Sequence, residues 1–143
     1  MDIRAYQARD EGTVVSLWEE CGLTRPWNDP RKDIARKLAI QPDLFLVGTL
    51  EGQLIATVMA GYEGHRGWVN YLAVAPKARG RGFGRALMER AERLLLNLGC
   101  PKLNIQVRSS NADVLAFYRA IGYVPEAMVS LGKRLIHDDP TAA

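Results

Sequence analysis

Glycine and arginine alternate in the stretch ARGRGFGRAL, residues 78–87, which lies between an apolar run and a helical pattern. A glycine-rich chain can approach a ligand closely, because no Cβ atoms stand in the way. The first turn of the following helix offers backbone N–H groups without partners, and arginines add positive charge there. Such a junction is typical of a site for phosphate groups. The other interpretation is a flexible surface loop with solvated arginines.

The spacing of these glycines excludes two common phosphate sites. The stretch lacks the G-x-x-x-x-G-K-[ST] pattern of nucleoside triphosphatases. It also misses the G-x-G-x-x-G pattern of dinucleotide-binding folds, because glycine stands at position 84 and not at 85. The expected ligand is therefore a pyrophosphate of another kind.

Periodicity and breaker residues predict the elements that position this loop. The expected order is strand, two helices, three antiparallel strands, helix, strand, helix, strand. The segments that carry this pattern are 3–6, 14–21, 30–41, 44–50, 53–62, 68–76, 87–98, 102–107, 112–121 and 127–135. This order predicts an α/β layered domain with a mixed, mostly antiparallel sheet flanked by helices.

Composition fits one domain, which we expect to span residues 1–136, followed by a polar, disordered tail at 137–143. Apolar residues make up 48% of the 143 residues, so one core can form without metals or disulfides. Only Cys21 and Cys100 are present, and no Cys/His cluster has metal-ligand spacing, so no metal is expected.

Charge and hydropathy limit the partners and the location of the protein. The net charge of +3 permits anionic ligands without requiring nucleic acid. The N-terminus MDIRAYQARD is too polar for a signal peptide, and the run LIATVMAGY is too short to span a bilayer. We therefore expect a cytoplasmic protein that binds neither nucleic acid nor a membrane.

The motif R-x-x-G-x-G at 79–84, followed by NADVLAFYRAIGY at 111–123, resembles the acetyl-CoA signature of the GNAT superfamily of N-acetyltransferases. The segments RPWNDP, GHRG, RGRG and SLGKRLI also look like small bacterial members of that superfamily. The resemblance covers nearly the whole chain and implies acetyl-CoA as the cosubstrate. It also implies a splayed pair of central parallel strands, here 69–75 and 102–108, with the pantetheine arm between them.

The resemblance assigns cofactor contacts to three places in the chain. Backbone groups of Leu72, Ala73 and Val74 would pair with the pantetheine amides, and a bulge there would aim an N–H group at the thioester carbonyl. Asn111 would reach the pantetheine or the adenosine side, although it is equally suited to cap a helix. The loop residues that would hold the pyrophosphate are Arg79, Gly80, Arg81, Gly82, Phe83, Gly84 and Arg85.

Tyr118 matches the tyrosine that family members use as general acid, and it would also contact the cofactor. A phenol with a pKa of roughly 10 can give a proton to a departing thiolate. Spacing alone favours another interpretation, in which Tyr118 is a core aromatic on the same helical stripe as Val114 and Ile121.

The group that takes the proton from the amine is less well defined by the sequence. Ribosomal-protein acetyltransferases of the superfamily carry a glutamate where this chain has Gln106, so their mechanism does not transfer directly. Glu63 is the best remaining carboxylate for this role, and His65 and water are the alternatives. The other interpretation is that Glu63 and His65 belong only to a solvated turn. Trp27, in the connection that lines the acceptor side in the family, is either a substrate contact or a loop anchor.

These observations predict an N-acetyltransferase that transfers acetyl from acetyl-CoA to a primary amine by direct attack in a ternary complex. The alternative is a non-catalytic acyl-CoA sensor of the same fold, which the glutamine at position 106 keeps open. A nucleic-acid-binding module is disfavoured by the small net charge. The sequence leaves open which amine is the acceptor and whether the protein is a monomer or a homodimer.

Overall fold

The computed structural model describes residues 1–139 and shows a five-stranded sheet in the order β1-β2-β3-β4-β5. The strands are β1 Asp2–Ala5, β2 Phe45–Leu50, β3 Gln53–Tyr62, β4 Gly67–Val74 and β5 Leu103–Asn104. The helices are α1 Glu11–Glu20, α2 Pro30–Ile40, α3 Phe83–Asn97 and α4 Ala112–Ala120. All neighbouring strands are antiparallel except β4 and β5, so the predicted mixed α/β layered fold is confirmed.

Local sequence signals explain where several elements begin and turn. The Asp29 carboxylate accepts the backbone N–H of Arg31 at 2.9 Å, and Pro30 occupies the first helical position, so α2 starts there. Glu51 and Gly52 both have positive φ, at 52° and 79°, which suits a tight two-residue hairpin between β2 and β3.

Strand β3 is the centre of the core. Its residues 55–60 are all buried, and neighbouring residues of a strand point to opposite faces of the sheet. Both faces of β3 are therefore covered, and α1 and α3 pack against this strand. The largest fully buried side chains include Trp18 from α1 and Leu87 from α3.

A bulge interrupts β4 where it faces β3. Thr57 pairs with Ala73 and Met59 pairs with Asn70, so β4 advances by three residues while β3 advances by two. Tyr71 within the bulge has a φ of 52°, an uncommon conformation for a residue with a side chain. The bulge lies beside Leu72, where the family resemblance led us to expect one.

Three hydrogen bonds and a ring contact hold this bulge. The Trp18 indole donates from Nε1 to Thr57 Oγ1 at 2.9 Å, and the Thr57 hydroxyl donates to the Tyr71 carbonyl at 2.9 Å. The Trp18 and Tyr71 rings stack with centroids 3.8 Å apart. From α2, Asp33 Oδ2 accepts the Tyr71 hydroxyl at 2.6 Å. The bulge is therefore fixed by residues from α1, β3 and α2.

The parallel strands β4 and β5 diverge soon after they meet. They pair only at Gly67 with Leu103 and at Trp68 with Asn104. From residue 69 onward, the edge of β4 that faces β5 has no strand partner within residues 1–139, although its other edge pairs with β3 through Val74. The pairing thus ends after two residues, and we call the unpaired space beside the rest of this β4 edge the gap. Short pairing of this kind agrees with the splayed strand pair that the resemblance implied.

The last predicted strand, 127–135, is wrong, because no residue of this segment lies in a strand. Two side-chain hydrogen bonds connect this region to the chain around β5. Lys102 Nζ donates to Glu126, just before the segment, at 2.7 Å, and Gln106 Nε2 donates to Ser130 Oγ, within it, at 2.6 Å. Backbone ladder bonds are missing there, so the apolar residues of this segment were not sufficient to form a strand. Consequently β5 is an edge strand of the described sheet and not a central one.

The predicted tail begins at residue 137, and its first three residues are described. Asp138 is buried, and its carboxylate accepts Arg36 Nη2 at 2.5 Å and the backbone N–H of Asp29 at 2.9 Å. These bonds hold the pKa of Asp138 well below its usual range. Residues 140–143 lie outside the described residues, and the extent of the domain stays a prediction.

Across residues 1–139, no helix combines the length and the apolar character that a membrane crossing requires.

We predict that Thr57→Val destabilises the protein by about 1–3 kcal/mol, because the buried Trp18 N–H and the partly buried Tyr71 carbonyl lose their partner. Thr57→Ser is the control, since it keeps the hydroxyl and removes only a methyl group. Urea unfolding of the three proteins gives the free energies. Equal stability of the valine and serine variants would contradict the proposed bridge.

Candidate active site

The N-terminus of α3 is open to an anion. Gly82 is the N-cap residue and supplies no capping side chain, and the first turn contains no acidic residue. Its backbone N–H groups and the positive end of the helix dipole are therefore not neutralised by a carboxylate from the helix itself. This is the arrangement that the glycine and arginine stretch predicted.

The three glycines of the loop have two different structural roles. Gly80 and Gly82 have φ of 77° and 82°, so side chains there would be strained. Gly84 lies at a close contact instead, because a Cβ atom there would lie 3.3 Å from the Phe117 ring and 3.6 Å from Val74 Cγ2. Gly84 thus marks the point where the loop, the end of β4 and α4 meet.

Each arginine of the loop has a partner within the protein. Arg79 Nε donates to the Val74 carbonyl at 3.1 Å, Arg81 lies 4.9 Å from the centre of the Phe83 ring, and Arg85 Nε is 3.1 Å from Glu89 Oε1. All three arginines are exposed, and exposed contacts of this kind are weak. A phosphate could displace them, and the predicted contacts to pyrophosphate stay predictions.

The end of β4 carries the backbone groups expected to pair with pantetheine. Ala73 is buried, whereas Leu72 and Val74 are partly exposed. The Val74 carbonyl already accepts from Arg79 and, at 3.4 Å, from the thiol of Cys21. A ligand amide that uses this carbonyl would share it with the Arg79 side chain.

Tyr118 presents a buried ring and an unpaired hydroxyl. The ring is 7% exposed and makes edge contacts with Phe117 and Tyr123, whose centroids are 5.1 Å and 5.6 Å away. Within residues 1–139 its hydroxyl has no hydrogen-bond partner. The oxygen is not one of the fully buried polar atoms that lack a partner, so it must be in contact with solvent. Burial raises the pKa of Tyr118 to about 12, which keeps the phenol protonated at neutral pH. Such a group can donate a proton.

Glu63 lies away from the other predicted site residues. Glu63 follows Tyr62, which pairs with Gly67 at the start of β4. Leu72 is five residues further along β4, and five residues of extended strand span roughly 16 Å. Its carboxylate accepts the backbone N–H groups of Arg66 and His65 at 2.5 Å and 2.6 Å. These bonds lower the pKa of Glu63. The geometry thus shows a turn-stabilising role, and catalysis by Glu63 stays an untested prediction.

Asn111 and Gln106 both have structural partners. Asn111 caps α4 by accepting the Val114 N–H at 3.3 Å, while the side chain itself remains exposed. Gln106, at the position of the glutamate in ribosomal-protein acetyltransferases, donates to Ser130. Capping and contact with a cofactor are compatible roles for Asn111, and the second stays a prediction.

Sequence reasoning missed the polar side chains next to the bulge. Asp33 bonds to the Tyr71 hydroxyl at 2.6 Å and to Arg36 Nη1 at 3.1 Å. Burial, with Asp33 as a further cause, raises the pKa of Tyr71. Tyr71 and Asp33 are 38 residues apart, and no motif joins them. Only the tertiary contact between α2 and β4 shows that a carboxylate lies there.

Comparison with known proteins identifies the family. Residues 12–123 match the acetyltransferase (GNAT) family. An acetyltransferase of Yersinia enterocolitica is 51% identical over 138 residues, which cover 96% of this chain and 98% of the relative. The chain therefore belongs to the GNAT family and is an acetyltransferase.

Solved structures share the fold at lower sequence identity. Ard1 of Thermoplasma volcanium superimposes with a TM-score of 0.79 at 23% identity, over 88% of this chain and 84% of that one. The ribosomal-protein-S18-alanine N-acetyltransferase of Escherichia coli gives a TM-score of 0.69 at 23% identity, over 85% and 76% of the two chains. These likenesses confirm the fold class that the sequence predicted.

We predict that Gly82→Ala lowers stability by about 1–2 kcal/mol, because alanine is strained at a φ of 82°. It should also weaken coenzyme A binding, since the first turn of α3 must shift. Gly12→Ala is the control, because Gly12 is exposed within α1 and a Cβ atom there meets nothing within 4 Å. That variant should gain about 0.5–1 kcal/mol. Thermal unfolding and calorimetric titration measure both effects, and losses of equal size would contradict this account.

Proposed function

We propose that this acetyltransferase transfers the acetyl group of acetyl-CoA to a primary amine by direct attack in a ternary complex. The observation that supports this most is the bulge at Tyr71 in β4, whose opposite edge has no strand partner from residue 69 onward within residues 1–139, together with an uncapped helix N-terminus at α3. An extended pantetheine arm could add to that edge as a strand does. The diphosphate would then meet the loop from Arg79 to Arg85.

The residues present fit acetyl-CoA at each end of the gap. The glycine loop offers N–H groups and arginines for the anionic end, and the free edge of β4 offers amide partners along its length. The acyl donor supplies a thioester carbonyl, which becomes negative when an amine attacks it. A backbone N–H at the bulge is a suitable donor to that oxygen, because it is held in place before the reaction.

In this reaction a C–N bond forms, the C–S bond breaks, and the amine must lose a proton. Tyr118 is the proposed acid, since its hydroxyl is free and protonated at neutral pH. It would give a proton to the departing thiolate or stabilise it by a hydrogen bond. Direct attack requires no acyl-enzyme, and so no role for Cys21 or Cys100.

The proton acceptor is assigned to Asp33, directly or through a water. Asp33 is the carboxylate bonded to the side chain of the bulge residue Tyr71, and it is partly exposed. Glu63 stays the second candidate, although it lies beside Gly67, which is five positions from Leu72 along β4. Their different locations allow the two assignments to be tested separately.

Replacing Tyr118 with phenylalanine should lower kcat by about 100-fold, because the general acid is lost while the ring remains. The dissociation constant for acetyl-CoA should change less than threefold. Release of the free thiol in the presence of a panel of amines gives kcat, and calorimetry gives the affinity. Tyr62→Phe is the matched control, since that hydroxyl bonds to the Gly64 carbonyl outside the gap. A sensor would bind acetyl-CoA and release no thiol with any amine, and full activity of Tyr118→Phe would reject the acid.

Asp33→Asn should lower kcat/KM by about 100-fold between pH 6 and 10, whereas Glu63→Gln should leave the rate and its pH profile unchanged. The Glu63 carboxylate has a lowered pKa and stays ionised across this range, so it contributes no titration there. Tyr71→Phe removes the hydroxyl bonded to Asp33 and keeps the carboxylate. Comparing its activity with that of Asp33→Asn separates the loss of this hydrogen bond from the loss of the base. An altered profile for Glu63→Gln, with normal activity of Asp33→Asn, would assign the base to Glu63.

A further inference from the structure

A cavity of about 630 Å³ that is widely open to solvent lies between the α1–α2 connection and the C-terminal segment. This volume falls within the range of small-molecule sites. The residues that line it are Trp27, Arg36, Gly132, Lys133, Arg134, Leu135 and Ile136. None of the predicted cofactor residues belongs to this set, so the cavity is a separate feature of the molecule.

The charges on the cavity wall are unbalanced. Arg36 is bonded to two carboxylates, Asp33 at 3.1 Å and Asp138 at 2.5 Å, so these three groups together carry one net negative charge. Within residues 1–139, Arg134 donates to neutral oxygens alone, those of the Asn28 side chain at 2.9 Å and the Ile136 carbonyl at 3.5 Å. Lys133 has no partner among the residues that the structure describes. Two positive charges thus face the cavity without a carboxylate among its described lining residues.

An apolar wall accompanies these charges. The Trp27 indole is 44% exposed and belongs to the connection between α1 and α2. A flat aromatic surface beside two cations suits a ligand with an apolar body and an anionic group. A ligand with only a positive charge would instead be repelled by Lys133 and Arg134.

Hydrogen bonds connect this cavity to the bulge. Arg36 lines the cavity and bonds to Asp33, which in turn accepts the Tyr71 hydroxyl. The negative charge of Asp33 therefore lies on the side toward the bulge, and the positive charges of Lys133 and Arg134 lie on the C-terminal segment. A molecule with an amine at one end and an anion at the other would be oriented with its amine toward the bulge.

We propose that the acetyl acceptor is a small amine that also carries a carboxylate, bound with the carboxylate at Lys133 and Arg134 and its apolar part against Trp27. This inference rests on the proposed function and specifies the class of amine. It assigns the selection of substrate to residues outside the acetyl-CoA signature.

Matched pairs of amines test the proposal. We expect kcat/KM for 4-(aminomethyl)benzoate to exceed that for benzylamine by at least about tenfold, and likewise for 6-aminohexanoate over hexylamine. The double variant Lys133→Ala/Arg134→Ala should remove this preference by raising KM for the carboxylated amines. Turnover of benzylamine and affinity for acetyl-CoA should not change. Arg9→Ala/Arg93→Ala removes the same charge from exposed positions outside the cavity and should behave as the parent protein.

Calorimetric titration of 4-(aminomethyl)benzoate into the coenzyme A complex separates binding from catalysis. Binding that the double variant loses supports the site even if no amine is acetylated, in which case only the proposed function fails. Equal use of both members of each pair by the parent protein would overturn the proposal. A carboxylated amine that neither binds nor reacts would overturn it too, as would binding that survives in the double variant.

Discussion

The Thr57 hydroxyl is the connection on which the geometry of the site depends. It is fully buried, accepts the Trp18 N–H and donates to the Tyr71 carbonyl, so one oxygen joins α1, β3 and the bulge of β4. A residue with a side chain at a φ of 52° is strained by about 1–3 kcal/mol, and it persists only where its surroundings fix it. The stack on Trp18 and the bond to Asp33 supply the remaining constraints.

The gap between β4 and β5 arises because the two strands are held together at one end only. At Gly67 a Cβ atom would lie 2.8 Å from Cys100 Sγ and 3.2 Å from Leu95 Cδ1, so the absence of a side chain allows close approach there. Pairing with Leu103 and Asn104 follows directly, and then the ladder stops. Beyond it, the extra residue of the bulge changes the register of β4, which re-aims its backbone groups. Closure at Gly67 and distortion at Tyr71 together produce an open edge.

Features with local causes were predictable from the sequence, and features that depend on distant contacts were not. The Asp29–Pro30 helix start, the Glu51–Gly52 turn and the glycine loop each carry their own signal in a few residues. The segment 127–135 also looked like a strand, but strand formation needs backbone partners that the residue pattern cannot show. Asp33 gave no sequence signal, because its importance arises from a contact with Tyr71 in another element. Glu63 was chosen for its place at a strand end, and antiparallel pairing puts that end at Gly67, away from the bulge.

In the proposed mechanism, the group that donates a proton and the group that accepts one lie in different surroundings. Tyr118 lies among the rings of Phe117 and Tyr123, and burial favours its neutral form, so it can serve only as a donor near neutral pH. Asp33 is held between the Tyr71 hydroxyl and the Arg36 guanidinium, on the side of β4 that faces α2. Under the proposed mechanism, an amine that enters from α2 would meet the Asp33 carboxylate first, whereas the departing thiolate would meet the Tyr118 phenol. The direction of proton flow would then follow from the helices that carry these two groups, α2 and α4, and would not require two groups of matched pKa.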